Sequence, residues 1–209
     1  KHAEMYNNSI KDLPTWKEDK IQLPCLYIFN ELADGTLSTL LEGVMSYEVS
    51  LVSLFQMFSA LFWAQKIFSM SHHDFHSGNI LYTTYPIPKG GYYSYSIPEL
   101  GIFKVPSIGF TFKLWDWGRV CVPGEIELGR TTYHTLSPEE RFSMDYLRIS
   151  RELLEHSYNL DAGIIELLET FVRNGEEHKP IEENLLLLKS PLERLYLRIP
   201  DPRELASYM

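Results

Sequence analysis

The chain has 209 residues, a formal net charge of −9, and 13 Tyr, 11 Phe and 4 Trp. This length suits one domain with a core or a large part of a bigger one, and the aromatic content argues against general disorder. The acidic balance argues against a broadly basic surface, so no nucleic-acid partner is expected. Because the chain starts at Lys1 and its first twenty residues are polar, we expect the numbering to begin inside a longer polypeptide.

The cysteines and the apolar stretches indicate a cytoplasmic, intracellular protein. Cys25 and Cys121 are far apart and neither belongs to a Cys-x-x-Cys pair, which is typical of reduced core thiols; a single disulfide is the alternative. The most apolar long stretch, residues 51–68, is interrupted by polar residues such as Lys66, and no secretory signal stands at the start. We therefore predict no membrane partner.

The first predicted strand is the apolar, β-prone run from Leu23 to Phe29. Residues 30–37 follow as a connector with turn chemistry, because Asp34-Gly35 supplies a residue that tolerates positive φ. A short helix is predicted after the connector.

The clearest helix lies between Ser46 and Met70. Ser46 can cap its start, and Glu48 lies in the first turn near the positive end of the helix dipole. The apolar residues recur at helical spacing and predict one buried stripe: Leu51, Leu54, Phe55, Phe58, Leu61 and Phe62. This pattern is typical of a core helix. The polar stretch from His72 to Leu81 follows it, and three His, one Asp and one Asn there indicate the place for chemistry.

A segment rich in proline, glycine and tyrosine, Tyr82 to Ser107, separates this stretch from the next strand. We predict an inserted loop or hairpin that turns at residues 89–91. The alternating run from Phe110 to Trp115 then predicts a strand, which ends at Asp116-Trp117-Gly118. A carboxylate at a strand end, followed by a residue free to adopt unusual φ, is a common way to present an acid to a ligand.

The remainder of the chain is predicted to be helical. Ser137 and Glu140 form a capping-box pattern with Pro138 at the first helical position, which predicts a helix from about Pro138 toward Leu154. A second apolar pattern, residues 160–172, predicts a helix that closes near Gly175.

Asp74, Asn79 and Asp116 have the chemical types that phosphoryl transfer requires, a carboxylate for the acceptor hydroxyl and hard oxygen ligands for magnesium. Their spacing and order resemble the protein-kinase superfamily, in which a catalytic Asp precedes a metal-binding Asn by five residues. The resemblance implies that Asp74 is the catalytic base and that Asn79 and Asp116 hold Mg²⁺. It also implies ATP as the phosphate donor, with Leu81 in the floor of the adenine site.

The resemblance extends upstream, where residues 28–37 look like a kinase hinge. It implies that Phe29 is the gatekeeper and that the backbones of Asn30 and Leu32 contact adenine. Downstream, Asp145 is similar to a buried kinase Asp that holds the catalytic loop by hydrogen bonds. The implied fold class is α+β and protein-kinase-like, mainly the helical C-terminal lobe with short β hairpins around the catalytic loop. Residues 1–29 would be a remnant of the N-terminal lobe strands, 30–37 the hinge, and 38–209 the helical lobe with an insertion at 82–107.

Two residues depart from the usual kinase pattern and leave the acceptor open. His73 and His76 stand where many protein kinases have Arg and Lys, so the loop resembles atypical kinases such as haspin and also aminoglycoside and choline kinases. The long insertion is similar to that of kinase-like proteins of large DNA viruses, which implies a host cell or virion location. An atypical serine/threonine protein kinase acting on a protein substrate leads; a small-molecule kinase and an inactive pseudokinase scaffold are the alternatives.

The sequence before the predicted hinge contains no Gly-rich loop and no Val-Ala-Ile-Lys-like strand, two parts that a kinase needs. We therefore expect an upstream N-terminal lobe in the same or another chain, and no competence for these residues alone. A zinc site formed by His72, His73 and His76 with Asp74 is a minor alternative. Arg119, Arg130 and Tyr133 are interpreted as surface residues rather than substrate contacts.

Overall fold

The computed structural model of the chain describes residues 32–87, 90–122, 126–127 and 136–208. Apart from Leu32, these residues belong to one unit, Ala33–Met209. The strands predicted for residues 1–29, and with them Phe29, Asn30 and Cys25, lie outside the described residues, as do Arg130 and Tyr133. The described part is α+β, with five α-helices, two three-stranded sheets and one two-stranded sheet.

The elements follow one another in this order: β1 (Gly35–Thr36), α1 (Leu37–Leu41), α2 (Tyr47–Phe68), β2 (Ile80–Thr84), β3 (Gly91–Ile97), β4 (Gly101–Pro106), β5 (Phe110–Leu114), β6 (Cys121–Val122), β7 (Ile126–Glu127), α3 (Pro138–Glu155), α4 (Ala162–Glu176), α5 (Ile181–Tyr196) and β8 (Arg203–Tyr208). Single 3₁₀ turns cover Ser77–Asn79, Trp117–Arg119 and Ser157–Asn159.

Helix α2 is the central element of the core, as its apolar spacing predicted. Ser46 caps it, because its side chain accepts a hydrogen bond from the backbone N–H of Val49. Its length and composition would allow it to cross a membrane, but 67% of its most apolar window is buried inside the protein. That burial is the pattern of a core helix.

The sheet next to the His72–Leu81 loop has the order β1-β2-β5, with all pairs antiparallel. Ile80 pairs with Leu114, and the backbone N–H of Trp115 donates to the carbonyl of Asn79 at 2.9 Å. This register brings the residues just before β2 next to the residues just after β5. The predicted strand that ends before Asp116 is therefore confirmed.

The predicted hairpin is present as β3 and β4, inserted between β2 and β5 in the chain, but its predicted turn is wrong. Strands β3 and β4 pair through Ile97 and Gly101, so the turn lies at residues 98–100, and Glu99 takes the positive φ of 68°. Gly90 is needed for a different reason, because a Cβ there would lie 2.5 Å from the carbonyl oxygen of Asp201. Tyr82 to Thr84 belong to β2, and the first strand of the hairpin begins at Gly91.

The C-terminal residues are not all helical, which corrects a second expectation. Strand β8 pairs in parallel with β3 and completes a sheet of order β4-β3-β8. The ring of Tyr208 stacks on Tyr95 at a centroid distance of 5.0 Å. Prolines at 200 and 202 end the helical tail, and the strand then forms because β3 offers a free edge that sequence periodicity cannot reveal.

Helices α3 and α4 form beside α2 largely as predicted. Ser137 and Glu140 make the complete capping box at the start of α3. Helix α4 ends at Glu176, near Gly175 as predicted. Gly175 is buried, and a Cβ there would lie 2.7 Å from the Cβ of Leu147. The glycine thus permits the close approach of α3 and α4. Cys121 is a buried free thiol, as predicted.

Candidate active site

A single buried carboxylate fixes the start of the polar loop. Asp145, on α3, is 2% exposed and accepts hydrogen bonds from the backbone N–H of His72 at 2.7 Å and of His73 at 2.8 Å. His73 has a φ of 59°, a conformation that these two bonds help to hold. Burial raises the pKa of Asp145 to about 7, and the two backbone donors and the charge of Arg148 oppose that rise. The predicted hydrogen bonds between Asp145 and the loop are therefore present.

Helix α3 holds the same loop at a second point. Glu152 accepts from the backbone N–H of Ser77 at 2.9 Å and from its hydroxyl at 2.6 Å. Sequence analysis did not single out Glu152 or Arg148. Arg148 lies three residues after Asp145 and Glu152 lies seven residues after it, so both are on the face of α3 that carries Asp145. This spacing of polar residues on a predicted helix is the signal that would have found them.

Asp74 lies among cations. Its side chain is 14% exposed, and Oδ1 lies 2.6 Å from Nη1 of Arg148, 3.3 Å from Nη1 of Arg119 and 3.9 Å from Nε2 of His76. Burial acts to raise the pKa of Asp74, but the hydrogen bond and charge of Arg148, with the charges of Arg119 and His76, hold it below its usual value. The carboxylate is therefore ionised at neutral pH. Arg119 is exposed, as expected of a surface residue, and it also contacts Asp74.

The three histidines of the loop do not converge. One nitrogen of each ring bonds a different partner: His72 Nε2 donates to the carbonyl of Trp115 at 2.8 Å, His73 Nε2 lies 2.7 Å from the hydroxyl of Ser71, and His76 Nδ1 accepts from the backbone N–H of Gly78 at 3.1 Å. Among the described residues no three His, Cys, Asp or Glu side chains form a group that could hold a metal. The zinc alternative therefore does not fit this loop.

Burial explains the protonation of two of these rings. Burial lowers the pKa of His72, although the hydrogen bond to the carbonyl of Trp115 and the charges of Asp74 and Asp116 act to raise it. Burial also lowers the pKa of His73 to about 4. Both rings are neutral at physiological pH. His72 also packs on the ring of Trp117 at a centroid distance of 4.6 Å, which is a structural role.

Asn79 links the loop to the end of the hairpin. Its side-chain Nδ2 donates to the backbone carbonyl of Asp74 at 2.9 Å, and the backbone carbonyl of Asn79 accepts from the backbone N–H of Trp115. Asp116 follows Trp115 directly, so Asn79 and Asp116 are neighbours across the end of β2 and β5. Since the amide nitrogen of Asn79 is bound to Asp74, Oδ1 is the atom of this side chain that can bind a cation.

Asp116 itself has the positive φ that was expected at the glycine two residues later. Its φ is 55°, and its Oδ1 accepts from the backbone N–H of Gly118 at 3.3 Å. The unusual φ therefore falls on the acid itself and not on the glycine. The side chain is exposed. An exposed carboxylate and a carboxamide oxygen are hard donors that suit Mg²⁺, which binds few protein ligands and keeps its waters or phosphate oxygens.

The residues predicted for the adenine site are only partly described. Leu81 is half-buried in β2, two residues after Asn79, and pairs with Thr36 of β1. Leu32 is 81% exposed. Phe29 and Asn30 lie outside the described residues.

Comparison with known proteins adds no assignment. No protein-family model matches the chain, and no curated protein matches it. The function has to be argued from the site itself.

Proposed function

We propose that the chain is the helical lobe of a kinase-like phosphotransferase, which transfers the γ-phosphate of ATP to a hydroxyl group with Asp74 as the base. The observation that carries the proposal is one continuous network. Asp145 binds the backbone of His72 and His73, Asn79 binds the carbonyl of Asp74, and Trp115 joins Asn79 to the segment that contains Asp116. Three segments far apart in sequence, the polar loop, the end of β5 and α3, are thereby held together at one end of the β2–β5 pair.

Asp74 has the properties of a base for a hydroxyl acceptor. Its lowered pKa keeps it ionised, so it can accept a hydrogen bond from the hydroxyl, orient its oxygen and take its proton during transfer. The residues that hold Asp74 come from α3 and from the loop itself, which limits the movement of the carboxylate before the acceptor arrives.

Asn79 and Asp116 would hold magnesium, and Leu81 would contribute to the adenine site. Magnesium, when bound, bridges the phosphates and neutralises the charge that develops on them. A Gly-rich lid and a lysine from an N-terminal lobe, in the same or another chain, would complete the nucleotide site. The proposed enzyme is an atypical kinase, similar to haspin or to the kinase-like proteins of large DNA viruses.

The groove beside the loop favours a serine or threonine of a protein as the acceptor. It has a volume of 560 Å³, and its lining includes His76, Arg148 and Arg151. Two of its three acids are already bound, Asp145 to loop backbone groups and Glu152 to Ser77, which leaves Glu155 as the acid open to a ligand. A cationic small molecule such as an aminoglycoside or choline needs an acidic, enclosed pocket, and this groove is neither.

One observation favours a second candidate, a catalytically silent binding protein. Oδ1 of Asp74, which would receive the hydroxyl proton, is already bound by Arg148 at 2.6 Å. In an active enzyme that contact leaves room for the acceptor at Oδ2 or opens when the acceptor binds. In a silent protein it persists. Phosphate transfer by the full-length protein separates the two.

Nucleotide binding tests the metal part of the proposal. In titration calorimetry with full-length protein, wild type should bind ATP more tightly with Mg²⁺ than with EDTA. Asp116→Ala should lose most of that metal-dependent gain, while Glu99→Ala, which removes an exposed acid at the hairpin turn, should keep it. Absence of binding to wild type, or an unchanged metal dependence in Asp116→Ala, would refute the proposal.

A further inference from the structure

Phosphoryl transfer needs positive charge beside the transferring group, and the loop does not supply it from its own imidazoles. Negative charge spreads over the phosphoryl oxygens in the transition state, and fixed cations there contribute much of the catalysis. His73 is neutral because burial lowers its pKa to about 4, and burial lowers the pKa of His72 as well. Nδ1 of His76 accepts a hydrogen bond from Gly78, so this ring offers only Nε2 as a donor.

Arg148 brings a permanent cation to the required place. Its Nη1 lies 2.6 Å from Oδ1 of Asp74 and 3.4 Å from the carbonyl of His73. The side chain is 47% exposed, whereas that of Asp74 is 14% exposed, so the guanidinium lies on the open side of the carboxylate. Both contacts use Nη1. A guanidinium has five N–H donors in a rigid fork, and those on Nη2 and Nε suit the bidentate binding of phosphate oxygens.

Arg148 is a better candidate than Arg119, the other arginine at Asp74. Arg119 contacts the same oxygen at 3.3 Å and belongs to a short 3₁₀ turn. Arg148 is one turn along α3 from Asp145, whose two hydrogen bonds fix the loop backbone. The position of Arg148 relative to the base is therefore set by a long helix, which is the preorganisation that electrostatic catalysis requires.

We propose that Arg148 is a catalytic residue that binds the transferred phosphoryl group, an inference that rests on the phosphotransferase function above. The acceptor oxygen attacks the γ-phosphorus, and the bond from that phosphorus to the β,γ-bridging oxygen breaks. The bridging oxygen leaves with the bonding electrons on the nucleoside diphosphate, and the hydroxyl proton passes to Asp74. Arg148 stabilises the negative charge on the non-bridging oxygens during this step.

The test compares Arg148→Ala and Arg148→Lys with the control Arg194→Ala in full-length protein. Arg194 is an exposed arginine of α5 that bonds Ser190 on its own helix. We expect Arg148→Ala to lower kcat about 10²-fold, the effect of removing one fixed donor from a transition-state site, with a small change in KM for ATP. Arg148→Lys should recover part of the loss, and Arg194→Ala should match wild type.

A binding readout separates phosphoryl recognition from support of the loop. ADP with aluminium fluoride and Mg²⁺ mimics the transferring group, so Arg148→Ala should weaken its binding at least tenfold more than the binding of ADP with Mg²⁺. An equal weakening of both ligands, or a wild-type kcat in Arg148→Ala, would overturn the inference while leaving the phosphotransferase function in place. A wild type that neither transfers phosphate nor binds ATP would instead overturn the proposed function.

Discussion

The polar loop from His72 to Leu81 and the inserted sheet of β3, β4 and β8 are held to the protein by different contacts. Besides the buried ring of Phe75, the loop is held by the hydrogen bonds of Asp145 and Glu152 with loop backbone groups. The inserted hairpin is held by apolar packing, with Phe103 1% exposed and its ring 5.1 Å from that of Phe55 on α2. The insertion is thus part of the core and not an appendage. Substitutions of buried residues in this sheet should therefore change mainly stability, and substitutions in the polar loop should change mainly chemistry.

The largest expected effect on stability comes from the inserted sheet. Phe103→Ala should lower the free energy of unfolding by about 3–5 kcal/mol, because it removes a buried ring and leaves a cavity. Ile102→Ala is the matched control, since Ile102 is the neighbouring residue of β4 and is 61% exposed. Urea unfolding of the two variants measures the difference. Equal stability of the two would show that the insertion lies outside the core.

A smaller loss is expected from the polar loop. Asp145→Asn replaces one of two acceptor oxygens with a donor that faces a backbone N–H, which should cost about 1–3 kcal/mol. The accompanying loss of phosphate transfer should exceed what the unfolded fraction explains, because the loop that carries Asp74 loses an anchor. Glu176→Gln, an exposed acid that bonds Arg151, serves as the control. A destabilised variant with full transfer activity per folded molecule would contradict this account of the loop.

The smallest expected effect is the pH dependence of the same substitution. The pKa of Asp145 is about 7 in the folded protein against 3.8 for the ordinary group, so folding takes up a proton between these values. Its contribution to the free energy of unfolding is greatest below about pH 4, falls as pH rises toward 7 and is constant above that. The advantage of wild type over Asp145→Asn should therefore shrink from pH 5 to pH 7.5.

The quantity to compare is the difference in the free energy of unfolding between wild type and Asp145→Asn. Neither protein alone is sufficient, because His73 makes stability rise with pH while Asp145 makes it fall. The pKa of His73 is lowered from 6.5 to about 4, so its contribution to stability rises with pH over the same window in both proteins. Urea unfolding at both pH values would contradict the prediction if the difference between wild type and variant grew with pH.

Local signals in the sequence predicted most of the helices and the order of the candidate site residues along the chain. Ser46 and the capping box of Ser137 and Glu140 act through bonds to residues three positions away, so they can be recognised without the fold. Strand β5 was predicted from the alternation of residues 110–115 and from the Asp-Trp-Gly that follows it. These features depend on neighbours in the chain.

Contacts between distant segments could not be predicted. Strand β8 forms because β3 offers a free edge more than a hundred residues earlier in the chain. The turn at Glu99 was missed because Gly90 and Gly91 have stronger turn signals, although Gly90 serves the approach of Asp201. Arg148 and Glu152 look like ordinary charges on an exposed helix face until α3 is packed against the loop.

Phosphate transfer by Asp74→Asn tests the central claim most directly. The amide keeps the size of the side chain and removes the base and its charge, so transfer by full-length protein to a protein hydroxyl should fall by about 10²–10⁴-fold. Affinity for ATP with Mg²⁺ should stay close to that of wild type, because Asn79 and Asp116 are unchanged. Transfer at the wild-type rate by Asp74→Asn would contradict the assignment of Asp74 as the base and the mechanism built on it.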